Sequence, residues 1–286
     1  LAGEEHQPRL LGAYQALEKQ VLALSKTSGQ SPKVLADGLY DIVSSGFAAK
    51  DALKVLTASA RAGTAGMTDT ATAAKAVAAA LNAYHRPASD ARAVSDSLFK
   101  TVELGVLRFE ELAQNMGDLV PAAAPLGVSL EEVGAAMSTI TLQGVPAAEA
   151  ATRVKNSMLQ LASPSKNMAA LLKANGFESA EAAIKGVGYA GVLEMISKQT
   201  GGNVTATSKL VPEIRALMGI VGLTGKNLDT YNKHLLEQRK ASAGAGATAK
   251  AFAEQSKAIG VQWDKARGAM IAAAVPLAEL VFPWLQ

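Results

Sequence analysis

Apolar residues return at three- and four-residue steps through most of this chain, and the runs are short. Leu10, Leu11, Tyr14, Leu17, Val21 and Leu24 form one such stripe; Leu35, Leu39 and Ile42 form the next, and Leu53, Leu56 and Ala60 a third. Further along, Leu130, Val133, Met137 and Ile140 make a narrow seam, and Ala147, Ala150, Val154, Met158 and Leu161 repeat it. Spacing of this kind marks amphipathic helices. The runs are punctuated by a glycine, a large apolar residue and a helix start, at Gly46-Phe47, Gly66-Met67, Gly105-Val106, Gly127-Val128, Gly144-Val145 and Gly176-Phe177. Glycine enters the left-handed turn that ends a helix at least cost, and the apolar residue after it folds back on the last turn. Ser129 three residues before Glu132 reads as a capping box, Thr68 with Asp69 as a similar start, and Pro146 as the opening of another helix.

The pattern predicts an all-α chain: an array of short antiparallel helical hairpins, without a sheet. Four regions follow: an N-terminal helix over 1–30 continuing from an upstream part, a helical-hairpin core over 31–165, a looser stretch with glycine-rich connections over 166–245, and a C-terminal helix and apolar segment over 246–286. Pro121 and Pro125 are expected to break or kink any helix through them. The glycines at 219, 222 and 225 are expected to interrupt a helical segment over 205–240, and Ser242–Ala247 reads as a joint. Residues 66–83 overlay on 127–144 with an offset of 61, which suggests a weak internal duplication.

Composition sharpens the fold more than the function. Hydrophobic residues make up 49% of the 286 but aromatics only 5%, so the apolar mass is Ala, Leu and Val, suited to closely approaching helices. A formal charge of +3 is too mild for a nucleic-acid footprint, and the basic residues between Lys226 and Arg267 are diluted by Asp229, Glu237, Glu254 and Asp264. No specific nucleic-acid binding is expected. The absence of cysteine removes disulfides and thiolate metal sites.

Candidate chemistry dissolves on inspection. Gly186-Val187-Gly188-Tyr189-Ala190-Gly191 matches the dinucleotide fingerprint letter for letter, but no strand precedes it and no suitable acid follows, so a helix connection is the expected role. Gly222–Asn227 has the wrong spacing for a phosphate loop. His6, His85 and His234 are dispersed and lack the i+3 or i+4 partner a metal site needs. Glu110-Glu111 and Glu131-Glu132 fall in first helical turns, where the helix dipole favours negative charge. No catalytic, metal or cofactor-binding residues are expected, and no enzyme. The apolar run 268–286, with Ile271, Val275, Leu280, Phe282 and Trp284, is long enough for a minimal span, but two prolines and Glu279 favour buried or interfacial packing against a membrane or another copy.

Several runs, taken in order, resemble the core region of phage tail tape measure proteins of long-tailed phages and prophages. They are Leu39–Phe47, Ala65–Asp69 with Leu81–Tyr84, Ser95–Val102, Phe109–Ala113, Val120–Ala123, Leu126–Ser129, and Thr141–Val145 with Glu149–Thr152. The likeness is strongest over residues 20–165. It implies a virion structural protein in the tail lumen or tip, made in the host cytoplasm. Such a protein sets tail length during assembly and leaves ahead of DNA at ejection. Tail-tube and tail-tip proteins, tail assembly chaperones, further copies of itself and, on ejection, the host membrane are the partners implied. The residues at stake are caps and turns: Gly46, Gly66, Thr68, Gly105, Pro121, Gly127, Ser129, Glu132, Gly144 and Pro146. Two alternatives remain: a membrane-active, pore-forming helical protein, and a generic helical adaptor, although glycine intervals of 20, 39, 22, 17 and 32 are uneven for a solenoid.

Overall fold

A computed structural model describes residues 6–274, and among these it contains 15 α-helices and no strand. The chain is all-α. In order the helices are α1 (His6–Ser28), α2 (Pro32–Ser44), α3 (Ala49–Ala65), α4 (Thr70–Ala83), α5 (Ala91–Leu104), α6 (Phe109–Ala123), α7 (Leu130–Thr141) and α8 (Ala147–Ala162). There follow α9 (Lys166–Ala174), α10 (Ala180–Thr200), α11 (Val204–Leu210), α12 (Ile214–Leu223), α13 (Leu228–Lys240), α14 (Ala247–Gln255) and α15 (Ile259–Ala274). The helices group into two compact units. One takes the described parts of Leu1–Ala78, Pro87–Ser95 and Thr248–Gln286; the other takes Ala79–Arg86 and Asp96–Ala247.

In the first unit, Leu35, Leu39 and Ile42 of α2 and Leu56 and Ala60 of α3 are buried as the stripes predict, while Leu53 is only half-buried and Val55 takes a buried place instead. Polar stitching joins two of its turns. The Gln30 amide donates to Thr64 Oγ1 at 3.2 Å and to the Thr68 carbonyl at 3.3 Å, while the Thr64 hydroxyl donates to the Ser28 carbonyl at 2.6 Å. Gly268 lets α15 lie against α1, since a Cβ there would come within 3.3 Å of the Ser25 carbonyl oxygen. Ile271 on α15 is half-buried; Val275, Leu280, Phe282 and Trp284 lie outside the described residues.

The second unit is built around α7, all of whose residues are buried. Helices α6, α8, α12 and α13 pack against it. The single seam expected from Leu130, Val133, Met137 and Ile140 is therefore one of several packed faces. Gly219 brings α12 onto α8, where a Cβ would lie 3.0 Å from both the Arg153 carbonyl carbon and Ser157 Cβ. Gly219 and Gly222 do not interrupt α12, and at Gly219 the close crossing accounts for the small residue. Nor does Pro121 break α6, which runs on to Ala123. The proline forfeits one bond near the helix end, and Pro125 falls in a 3-10 turn that follows.

Five connections share one backbone device. After a helix, a residue in the left-handed region is followed by an N–H that reaches back five residues to a carbonyl, the Schellman arrangement. The left-handed residues are Gly46 (φ 94°), Met67 (φ 53°), His85 (φ 50°), Gly127 (φ 81°) and Gly176 (φ 88°). The matching bonds are Phe47 to Ile42, Thr68 to Gly63, Arg86 to Leu81, Val128 to Ala123 and Phe177 to Leu172, at 2.8–3.4 Å. Gly144 (φ 83°) also turns left-handed, and Pro146 is the N-cap of α8.

Two details differ from the sequence reading. Gly66 has φ −86° and ends α3, so the left-handed position falls on Met67 and the capping side chain on Asp69, whose carboxylate accepts the Thr72 N–H at 2.7 Å. Met67 and Asp69 then pair with Gly127 and Ser129 at an offset of 60, one less than the overlay of the two glycines. Gly105 is not left-handed; a Cβ there would collide with the Leu107 side chain and approach Ser138 Cα to 3.0 Å.

Met67 carries its side chain into solvent at 81% exposure, so it supports no packing. Met67→Gly is expected to stabilise the protein by about 0.5–1 kcal/mol, because relief of a left-handed side chain exceeds the added chain entropy of glycine. Urea unfolding checks this; a lower midpoint would contradict the turn geometry.

Candidate functional site

A helix buried on every side must find internal partners for its polar groups, and α7 carries Glu131, Glu132, Ser138, Thr139 and Thr141. Each is matched by a group from a distant part of the chain or from its own helix. Ser129 is the N-cap: its hydroxyl accepts the Glu132 N–H at 3.3 Å, and its own N–H donates to Glu132 Oε2 at 3.0 Å. The other carboxylate oxygen, Oε1, accepts the N–H of Ala190 from α10 at 3.1 Å. Glu132 is thus only 3% exposed and closes two helix starts at once. Glu131 pairs with Arg86 at 3.4 Å. Tyr84, just before Arg86, donates its hydroxyl to the Val128 carbonyl at 3.0 Å. Burial, with the Glu131 charge second, pushes the Tyr84 phenol well above its ordinary range.

At the other end of the helix, Ser138 Oγ and Thr139 Oγ1 lie 2.9 and 3.1 Å from Nδ1 of His234 on α13. Ser138 also donates to the Ala135 carbonyl at 3.1 Å. Burial pushes the His234 imidazole below its ordinary pKa of 6.5. One turn on, Gln238 is fully buried between Ser97 and Thr101 of α5, at 2.9 and 2.8 Å, and its amide faces Gly134 of α7. A Cβ at Gly134 would lie 2.5 Å from Thr101 Oγ1 and 2.6 Å from the Gln238 side-chain amide. The Tyr189 hydroxyl meets Ser157 of α8 at 2.6 Å, and the Tyr189 and Tyr231 rings meet edge to face at 6.4 Å.

These contacts hold helices in place. The Ser138–His234 pair has a hydroxyl already donated to a backbone carbonyl and no carboxylate on the ring, unlike an activated nucleophile. The fingerprint glycines sit inside α10 as a helix break, and the acid facing the restarted helix is the protein's own Glu132. Glu110 and Glu111 lie in the first turn of α6, where the Arg108 backbone N–H and side chain hold Glu111 below the usual carboxylate range. Among the described residues, no group of three or more His, Asp and Glu is placed to hold a metal, and no helix is long and apolar enough to cross a membrane.

Among the surface grooves, two carry apolar and charged side chains side by side. One, about 580 Å³, runs between α10 and α13 and is lined by Val187, Gly191, Glu194, Met195, Leu236 and Arg239. The other, about 600 Å³, lies in the first unit beside Gln30, Asp69, Arg267 and Ile271. Sequence reasoning did not find His234, Gln238, Gly134, Ser157 or Tyr189 as a set. The one local sign was that α7 carries small and hydroxyl residues on the faces that a surface helix would fill with charge.

Comparison with known proteins decides the family. Residues 18–219 match the model of the phage-related minor tail protein family. The chain belongs to this family. It is 28% identical over 254 residues to a probable tape measure protein of Clostridium phage phiCD119, covering 85% of this chain and 27% of that protein. It is 24% identical over 152 residues to the tape measure protein of Pneumococcus phage Dp-1, covering 53% of this chain and 13% of that one. The chain therefore spans about a quarter or less of the length of these tape measure relatives. No solved structure matches it. As a member of the family it is a phage tail protein, and the match includes α2 to α11 together with the whole of α7.

The lowered His234 pKa sets a sign for acid stability. A histidine kept neutral by the fold contributes stability above pH 6.5, and that contribution is lost as pH falls below it. Urea midpoints at pH 7.5 and 5.5 are expected to differ in the wild type and to differ less in His234→Gln. An unchanged pH dependence in the variant would contradict the buried neutral imidazole.

Proposed function

We propose that this chain forms a folded helical module of a tape measure protein, residing in the phage tail lumen or tip, where it takes part in tail assembly and length control. The observation that carries this reading is the 254-residue likeness to a tape measure protein, which extends over 85% of the chain. Tail-tube and tail-tip proteins, assembly chaperones and further copies of the chain are its partners, and it leaves the tail ahead of the DNA. Its role is structural, with Glu132, His234 and Gln238 serving to hold helices and not to transform a substrate.

The architecture refines the part played in length control. A ruler gains length at about 1.5 Å per residue only where its helix is continuous. The longest described helix here has 23 residues, and successive helices fold back by left-handed turns into compact units. The module is therefore a packed element of the tape measure protein, distinct from its measuring shaft.

Electron microscopy of tails made with altered protein tests both levels. A 30-residue helical insertion in the joint at Ser242–Ala247 is expected to leave tail length unchanged; tails longer by about 45 Å would show that the segment is part of the shaft. Replacing Gly134 by Leu, which drives a side chain into Thr101 and Gln238, is expected to abolish normal tails. Normal particles from that variant would contradict a role in tail assembly.

A further inference from the structure

The glycine motif within α10 has a physical role of its own. Helical geometry stops at Gly188, where φ is 76° and ψ 171°, and resumes at Tyr189. Gly188 alone takes the backbone conformation of the break, and each of the three motif glycines has a close neighbour. A Cβ on Gly186 would come within 2.9 Å of the Phe177 ring, one on Gly188 within 2.6 Å of Glu132 Oε1, and one on Gly191 within 2.6 Å of Val187 Cβ. The restarted helix has N–H groups that lost their carbonyl partners at the break, and Glu132 takes the one from Ala190 at 3.1 Å. Beyond the break, Tyr189, Val192, Leu193 and Ile196 are buried; before it, Ala183 and Ile184 are buried separately, with Ile184 beside Gly127.

We propose that α10 is a two-state hinge at Gly188, latched in its bent form by the Glu132 carboxylate and able to become one continuous helix when that latch is lost. Opposing contributions set the balance. Continuity would restore the intrahelical bonds given up at the break, while three glycines within six residues weaken the helix in either form. The bent form is held by one charge-assisted bond, by the Tyr189–Ser157 contact, and by the separate burial of Ala183 and Ile184 before the hinge and of Val192, Leu193 and Ile196 after it. Straightening would carry Ala183 and Ile184 off their packing and remove the groove lined by Val187 and Gly191 on the two sides of the hinge. The inference stands independently of the tail reading.

The chain has no cysteine, so two introduced ones report on α10 alone. Ala182 and Gln199 are both exposed and flank the hinge. In an unbroken helix their Cα atoms lie about 25 Å apart. Pulsed dipolar spectroscopy of the labelled chain is expected to show one shorter separation in the otherwise wild-type protein. In Glu132→Gln, which keeps the side-chain shape, it is expected to show a second, discrete population at the straight-helix separation. In the same variant, exchange of the Ala190 amide hydrogen should speed up by about tenfold. Gly188→Ala should move the population further toward the straight form. The hinge is refuted if Glu132→Gln keeps both the wild-type distance distribution and the wild-type exchange rate, or if folded Gly188→Ala keeps only the short distance. If Gly188→Ala does not fold, the Glu132→Gln measurements decide alone.

Discussion

Burial of α7 on all sides is the constraint from which the second unit follows. A helix in that position cannot leave a polar group to water, and an unmatched buried polar group costs about 1–3 kcal/mol. Long-range bridges relieve this cost, and Glu131 with Arg86 is one of them. Glu132 reaches the start of the second half of α10, Ser138 and Thr139 face His234, and the Gly134 gap receives Gln238, which is tied to Ser97 and Thr101. The Glu132 bridge brings α10 to α7 and those to His234 and Gln238 bring α13, with Ser97 and Thr101 tying α5 to the same place, so the polar groups specify which neighbours sit where. Ala, Val and Leu side chains supply the apolar contact but would tolerate more than one arrangement.

The turns complete the specification. Repeating a left-handed residue and a five-residue back-bond redirects the chain within a few residues. Where glycine occupies the left-handed site the turn is unstrained. At Met67 and His85 an ordinary side chain is held there by the same bonds, which shows that the device rests on the whole hydrogen-bond pattern and not on glycine alone.

Local features were legible and distant ones were not. Apolar periodicity and missing strand patterns pointed to an all-α chain, and Ser129 with Glu132 was readable as a capping box because its parts are three residues apart. The smallness of Gly219 looked like a helix stop because its reason, the Arg153 backbone on α8, is 66 positions away. His234 read only as a dispersed histidine without a local partner and Gln238 drew no notice, because their partners lie 95 to 141 positions away. The glycine motif of α10 was readable as a helix connection from the absence of a preceding strand, but nothing nearby indicated that Glu132 would face it. Runs resembling tape measure proteins reached the family before the fold did, since their order along the chain is itself a long-range signal.

The account depends on α7 being an interior helix whose polar groups are satisfied from within. Hydrogen exchange resolved to single amides tests that claim most directly. Amides of Val133–Ile140 should exchange only when the second unit unfolds as a whole, and more slowly than those of the short peripheral helices α9 and α11. Exchange of the α7 amides as fast as those of α9 and α11 would contradict it.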